Sequence, residues 1–90
     1  MDDKVLIAEG VLGQDAEEFI SSELGRYILE RIKQDKEDAY RKLSTTSVWR
    51  KNRIRELQNE IWRCETFETW LAETVTRGRQ AIDLLEQRRD

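Results

Sequence analysis

The chain has 90 residues, 39% of them charged, with four Gly, one Cys, no Pro and no His. That inventory excludes a Cys/His zinc site, a Ser-His or Cys-His catalytic pair and an internal disulfide framework. Sixteen Lys+Arg against nineteen Asp+Glu leave a net charge of −3, whereas a dedicated nucleic-acid binder of this size is usually basic. The absence of Pro and the high charge content predict long helices. No segment approaches the ~20 apolar residues of a membrane span, and the acidic start Met-Asp-Asp is wrong for a signal peptide. Only 38% of the residues are apolar, too few to enclose a large core, and small domains of this kind often depend on oligomerisation.

Residues 1–14 form the first unit. Val5-Leu6-Ile7-Ala8 is followed by Glu9-Gly10-Val11-Leu12-Gly13, and two glycines within four residues are expected to break a helix. This reads as an N-terminal arm. It is either a frayed terminus or a segment that docks on a neighbour through Val5, Leu6, Ile7, Val11 and Leu12.

The remainder, 15–90, reads as a helical hairpin. Asp15 and Glu18 make an Asp-led capping box that would start a helix running to about residue 43. Ala16, Ile20, Leu24, Tyr27, Ile28, Ile32, Ala39 and Leu43 recur at steps of three, four or seven, which is one buried stripe. Ser21, Ser22 and Gly25 weaken it, so either a kink or a full break is expected near Ser22–Gly25. Ser44-Thr45-Thr46-Ser47 then predicts a turn over about 44–48, with Thr46 or Ser47 capping the next helix. A short turn makes its two helices antiparallel neighbours.

The second helix is predicted over about 49–87. Ile54, Leu57, Ile61, Cys64, Glu68, Leu71, Val75, Gly78, Ile82 and Leu85 step alternately by three and four. Eight of these ten positions are apolar or Cys, a coiled-coil-like seam. Glu68 interrupts it, with Phe67 beside it to fill the gap. Gly78 leaves room for another backbone. The fold class is thus all-α: an antiparallel helical hairpin with one very long C-terminal helix, oligomeric.

Three groups of residues could carry function. Trp62, Trp70, Ala81 and Leu84 lie off the seam, and each indole presents roughly 200 Å² of largely apolar area. With Val5, Leu6 and Ile7 of the arm they make a candidate partner interface, unless the first helix simply covers them. Arg50, Lys51, Arg53 and Arg55 beside Trp49 could pair with phosphates and stack a base, but helical spacing spreads them around the cylinder, with Glu56 and Glu60 as counter-charges. A solvated, ion-paired helix start accounts for them better. The acidic residues Asp15, Glu17, Glu18, Glu23, Glu65, Glu68 and Glu73 read as surface charges, since a thin hairpin rarely forms the concave site that acid/base or Mg²⁺ chemistry needs. No Glu-x-x-His motif suggests a di-iron bundle, and Cys64 reads as a small core residue.

Val11-Leu12-Gly13-Gln14-Asp15-Ala16-Glu17-Glu18-Phe19, Leu24-Gly25-Arg26-Tyr27, Ile54-Arg55-Glu56-Leu57-Gln58-Asn59-Glu60-Ile61-Trp62-Arg63 and Phe67-x-x-Trp70-Leu71 followed by Gly78 together resemble a family of small helical proteins of tailed bacteriophages and prophages. The resemblance covers Val11 to about Leu85. It departs at the hairpin loop, which looks Asp/Pro-rich in the family and is Ser-Thr-Thr-Ser in this chain. It implies a structural or accessory protein of a virion-assembly region, in a bacterial host's cytoplasm or in the virion, without catalytic residues or a cofactor. The expected partners are further copies of the chain and other phage structural proteins, with no membrane. The rival expectations are a nucleic-acid-binding accessory protein using the basic cluster and a small regulator of a host protein.

Overall fold

Asp2 starts the first helix by accepting a hydrogen bond from the Lys4 amide at 3.1 Å, filling one of the bonds that a helix start leaves open. In the computed structural model, which describes residues 2–89, the chain forms α1 (Asp3–Ser21), α2 (Glu23–Thr45) and α3 (Lys51–Gln87). Met1 of the predicted arm and Asp90 at the end of the predicted hairpin lie outside the described residues.

The segment expected to be an arm is helical and continues through Asp15, so the helix start expected at Asp15 and Glu18 is instead the interior of α1. Gly10 and Gly13 sit inside α1, at a local cost of about 1 kcal/mol each relative to Ala. Their place in the packing explains why they are there. A Cβ on Gly13 would stand 2.6 Å from the Gly78 Cα, and one on Gly10 would stand 3.2 Å from Ile82 Cγ1. The glycines let α1 and α3 cross backbone against backbone, which is the close approach that Gly78 predicts from sequence.

The helix break expected near Ser22–Gly25 falls at Ser22, whose backbone is extended (φ −74°, ψ 158°). Its amide donates to the carbonyls of Glu18 and Phe19 at 2.9 and 3.1 Å. Its hydroxyl donates to Phe19 O at 2.7 Å and accepts from the Gly25 amide at 2.9 Å. Ser22 therefore closes α1 and opens α2. Gly25 is required beside it, because a Cβ there would lie 1.5 Å from Phe19 O.

α1 and α2 run antiparallel to α3 and divide its length between them. Glu17 meets Arg79 at 2.7 Å and Asp3 meets Arg88, so α1 lies along the C-terminal half of α3. Lys36 meets Glu68 at 2.6 Å and Tyr40 meets Glu65 at 3.3 Å, so α2 lies along its N-terminal half. At 1.5 Å per residue α3 is a rod of about 55 Å. The molecule measures 62 × 29 × 14 Å, little more than one helix thick in its thinnest direction.

So thin a plate has its core in a single line. Ala39, Leu57 and Ile61 pack together with Leu43 at the hairpin end, while Leu6, Ala16 and Ala81 are buried in the half that contains α1. Leu6 and Leu57 are the large side chains that are fully buried. Every position of the predicted α3 seam is covered at least in part. Phe67, however, stays exposed and does not fill the gap at Glu68. That carboxylate is instead neutralised by Lys36 from α2, the inexpensive way to place a charge in a half-covered seam. Ile20, Leu24 and Tyr27 of the predicted first-helix stripe are exposed too, because the break at Ser22 ends the single register that would have kept them on one line.

Candidate interaction surface

The chain exposes more surface than its mass predicts, and several large apolar side chains are part of it. A compact monomer of 10.8 kDa exposes about 5,500 Å², whereas this chain exposes 7240 Å². Its radius of gyration is 18.2 Å, against about 12 Å for a globular chain of this length.

Trp62 and Trp70 are 65% and 66% exposed, and Leu84 is exposed beside them in angle. The three fall within a sector of about 80° on α3, on the side that α1 and α2 leave open. Neither helix covers an indole. Ala81 differs from the sequence reading. It lies about 60° from Leu84 around the helix and is buried at 1% exposure, so it belongs to the packing between α1 and α3.

The N-terminal interface residues divide the same way. Leu6 is fully buried inside the chain, while Val5 and Ile7 are exposed, as are Val11 and Leu12. A period of 3.6 carried across the glycines sets Leu6, Gly10 and Gly13 on one face, which is the sequence signal for a helix in this segment.

The basic cluster sits at the start of α3. Trp49 is 86% exposed, and with Arg50, Lys51, Asn52, Arg53 and Glu56 it lines an open depression of about 420 Å³. Arg50, Lys51 and Arg55 are exposed, while Arg53 is half-buried and pairs with Glu56 at 3.2 Å. The cap differs from expectation. Thr46 is the C-cap of α2, and the residue preceding α3 is Arg50, without a side-chain capping bond. Ser44 and Thr45 still belong to α2 and their hydroxyls bond back into it, Ser44 donating to Arg41 O at 2.7 Å and Thr45 to Lys42 O at 3.2 Å, while the Ser47 hydroxyl accepts from the Trp49 amide at 3.4 Å. The Lys42 carbonyl is one of those that the last helical turn leaves open.

The acidic residues are dispersed. Glu17 and Glu68 hold Arg79 and Lys36, and Glu65 accepts from Tyr40. Among the described residues no group of three or more His, Cys, Asp or Glu side chains is arranged to hold a metal ion. Cys64 is half-buried. Burial pushes its thiol pKa up, and the carboxylates of Asp35, Glu60 and Glu68 push the same way against a smaller opposing effect of Lys36. A thiol so placed stays protonated at neutral pH and is a poor nucleophile. No helix among the described residues is long and apolar enough to cross a membrane. No protein-family model matches the chain, and neither a curated protein nor a solved structure matches it.

Proposed function

We propose that the chain is a non-enzymatic assembly or adaptor protein that works by self-association and by helix-mediated contacts with other proteins. The observation that carries this reading is the one-helix-thick plate with Trp62, Trp70, Leu84 and the outer residues of α1 all exposed. Isolated exposed apolar residues are ordinary on protein surfaces, but so many on so small a chain mark an interaction surface. The resemblance to small helical proteins of tailed phages supports a place in virion assembly, in a bacterial cytoplasm or in the particle, with other phage structural proteins as partners. Sedimentation at tens of micromolar tests the reading: association is expected, and a stable monomer defeats it.

A second reading, a nucleic-acid-binding accessory protein, is favoured by the exposed Trp49, Arg50 and Lys51 around one open depression, with Arg55 exposed further along α3. Its test is fluorescence anisotropy with a DNA duplex at low and high salt. Salt-sensitive binding lost on changing Arg50 and Lys51 to Glu would favour it, and no binding at low salt would remove it.

A further inference from the structure

The outer side of α1 has a pattern of its own. At 100° per residue, Lys4, Ala8, Val11 and Asp15 fall within about 60° of one another, opposite the buried line of Leu6, Gly10 and Gly13. All four are exposed. Val5 and Leu12 flank the strip on one side and Ile7 on the other, all exposed as well. Between Lys4 and Asp15 the only charged residue is Glu9, which is half-buried and about 130° away from the strip. The outer surface is thus apolar in the middle, with a cation at one end and an anion at the other. Neither the Lys4 ammonium nor the Asp15 carboxylate has an ion-pair partner among the described residues.

A helical stretch that is apolar on its outer as well as its inner side, as Val5 to Leu12 is apart from the half-buried Glu9, belongs against a further surface. Two features say what covers it. A two-fold contact sets each group against its symmetry mate's surroundings, so its centre must be free of charge, as this one is. Turning the strip antiparallel on a copy of itself also brings Lys4 of one chain to Asp15 of the other at both ends. A parallel pairing would set like charges together. The accessible surface in excess of a compact monomer, roughly 1,700 Å² by the scaling with mass, is about twice the ~800 Å² each partner gives to a standard interface. A lipid surface fits less well, because α1 carries five carboxylates and one lysine, the wrong sign for anionic membranes.

We propose that α1 packs antiparallel on α1 of a second copy about a two-fold axis between Ala8 and Val11, with Lys4 of each chain paired to Asp15 of the other. This rests on the self-association proposed above and specifies the surface that achieves it.

The test compares dimer dissociation constants of the full chain and four variants by sedimentation. Val11→Glu puts two carboxylates near the axis, and at least a hundredfold weakening is expected with helical circular dichroism unchanged. Lys4→Glu and Asp15→Lys should each weaken the dimer by about three- to tenfold, and the double variant Lys4→Glu/Asp15→Lys should restore it. The swap keeps the test decisive if Val11→Glu also loses helix. Association of the parent chain that is indifferent to Val11→Glu, or singles that the swap does not rescue, would overturn the α1 pairing while leaving self-association standing. A parent chain that stays monomeric would overturn both, including one that binds neutral phosphatidylcholine vesicles instead.

Discussion

α1 and α2 pack on the same rod, α3, yet they are built in opposite ways. α2 faces outward with Glu30, Arg31, Lys33, Gln34, Glu37, Asp38 and Arg41, all exposed. It holds α3 through Ala39 against Leu57 and Ile61 and through the Lys36–Glu68 ion pair. α1 holds α3 by removing side chains, at Gly10, Gly13 and Gly78, and turns Val5, Ile7, Val11 and Leu12 to solvent. The outer line of α2 is charged, although its half still exposes Leu24, Tyr27, Tyr40 and Trp62, whereas the outer line of α1 is apolar between Lys4 and Asp15.

The strongest way to break this contrast is to empty the α2 side of its most deeply buried large side chain. Leu57→Ala is expected to cost about 2–4 kcal/mol, seen as a lower urea midpoint with circular dichroism as the probe. The close crossing of α1 is sharpened by a pair of variants. Gly13→Ala places a methyl 2.6 Å from a backbone carbon of α3 and should destabilise by about 2 kcal/mol or more. Gly10→Ala meets only the flexible Ile82 side chain, so the helix-propensity gain of about 1 kcal/mol offsets the crowding and its midpoint should stay near the parent's. Equal losses at both glycines would show that the backbone crossing is not what selects Gly13.

Trp62→Ala and Trp70→Ala act at another level. Both indoles are mostly exposed, so the fold should tolerate either change, while association with the partner each one meets weakens by about 2 kcal/mol. The measurement is the shift in dissociation constant at unchanged unfolding midpoint. The smallest expected effect is alkaline. The hydrogen bond to Glu68 raises the Lys36 pKa above the ordinary lysine value, with burial opposing it. A raised folded-state pKa contributes stability that is fully present below the unfolded value near ~10.4, and that is lost as pH rises through the folded value. The loss should stay below about 1 kcal/mol for a pair still partly open to solvent, and Lys36→Met should flatten the pH dependence of the thermal midpoint above that value.

The parts of this design that repeat along the chain were legible in the sequence. The alternation from Ile54 to Leu85 marks the covered face of α3 and Ser22 with Gly25 marks the break, while the Ser-Thr-Thr-Ser stretch marks the turn only in its second half, since Ser44 and Thr45 are still in α2 and the turn runs on to Arg50. What was not legible depends on a partner distant in sequence. Gly10 and Gly13 read as helix breakers because their benefit exists only once Gly78 of α3 arrives against them. Glu68 read as an interruption because Lys36, 32 positions earlier, supplies its counter-charge. Ala81 read as an outward residue because the sector that α1 covers near the end of α3 is set by the crossing at the glycines, not by the seam alone. The exposure of Trp62 and Trp70 was foreseeable, since both lie far around the helix from the seam.

The most direct measurement is the molar mass of the unmodified chain by light scattering, from low micromolar to hundred-micromolar concentration. The account predicts a mass of at least twice 10.8 kDa over the upper part of that range, falling toward the single-chain value on dilution. A mass fixed at 10.8 kDa throughout would contradict it, because the apolar outer side of α1 would then have to face water in the working protein.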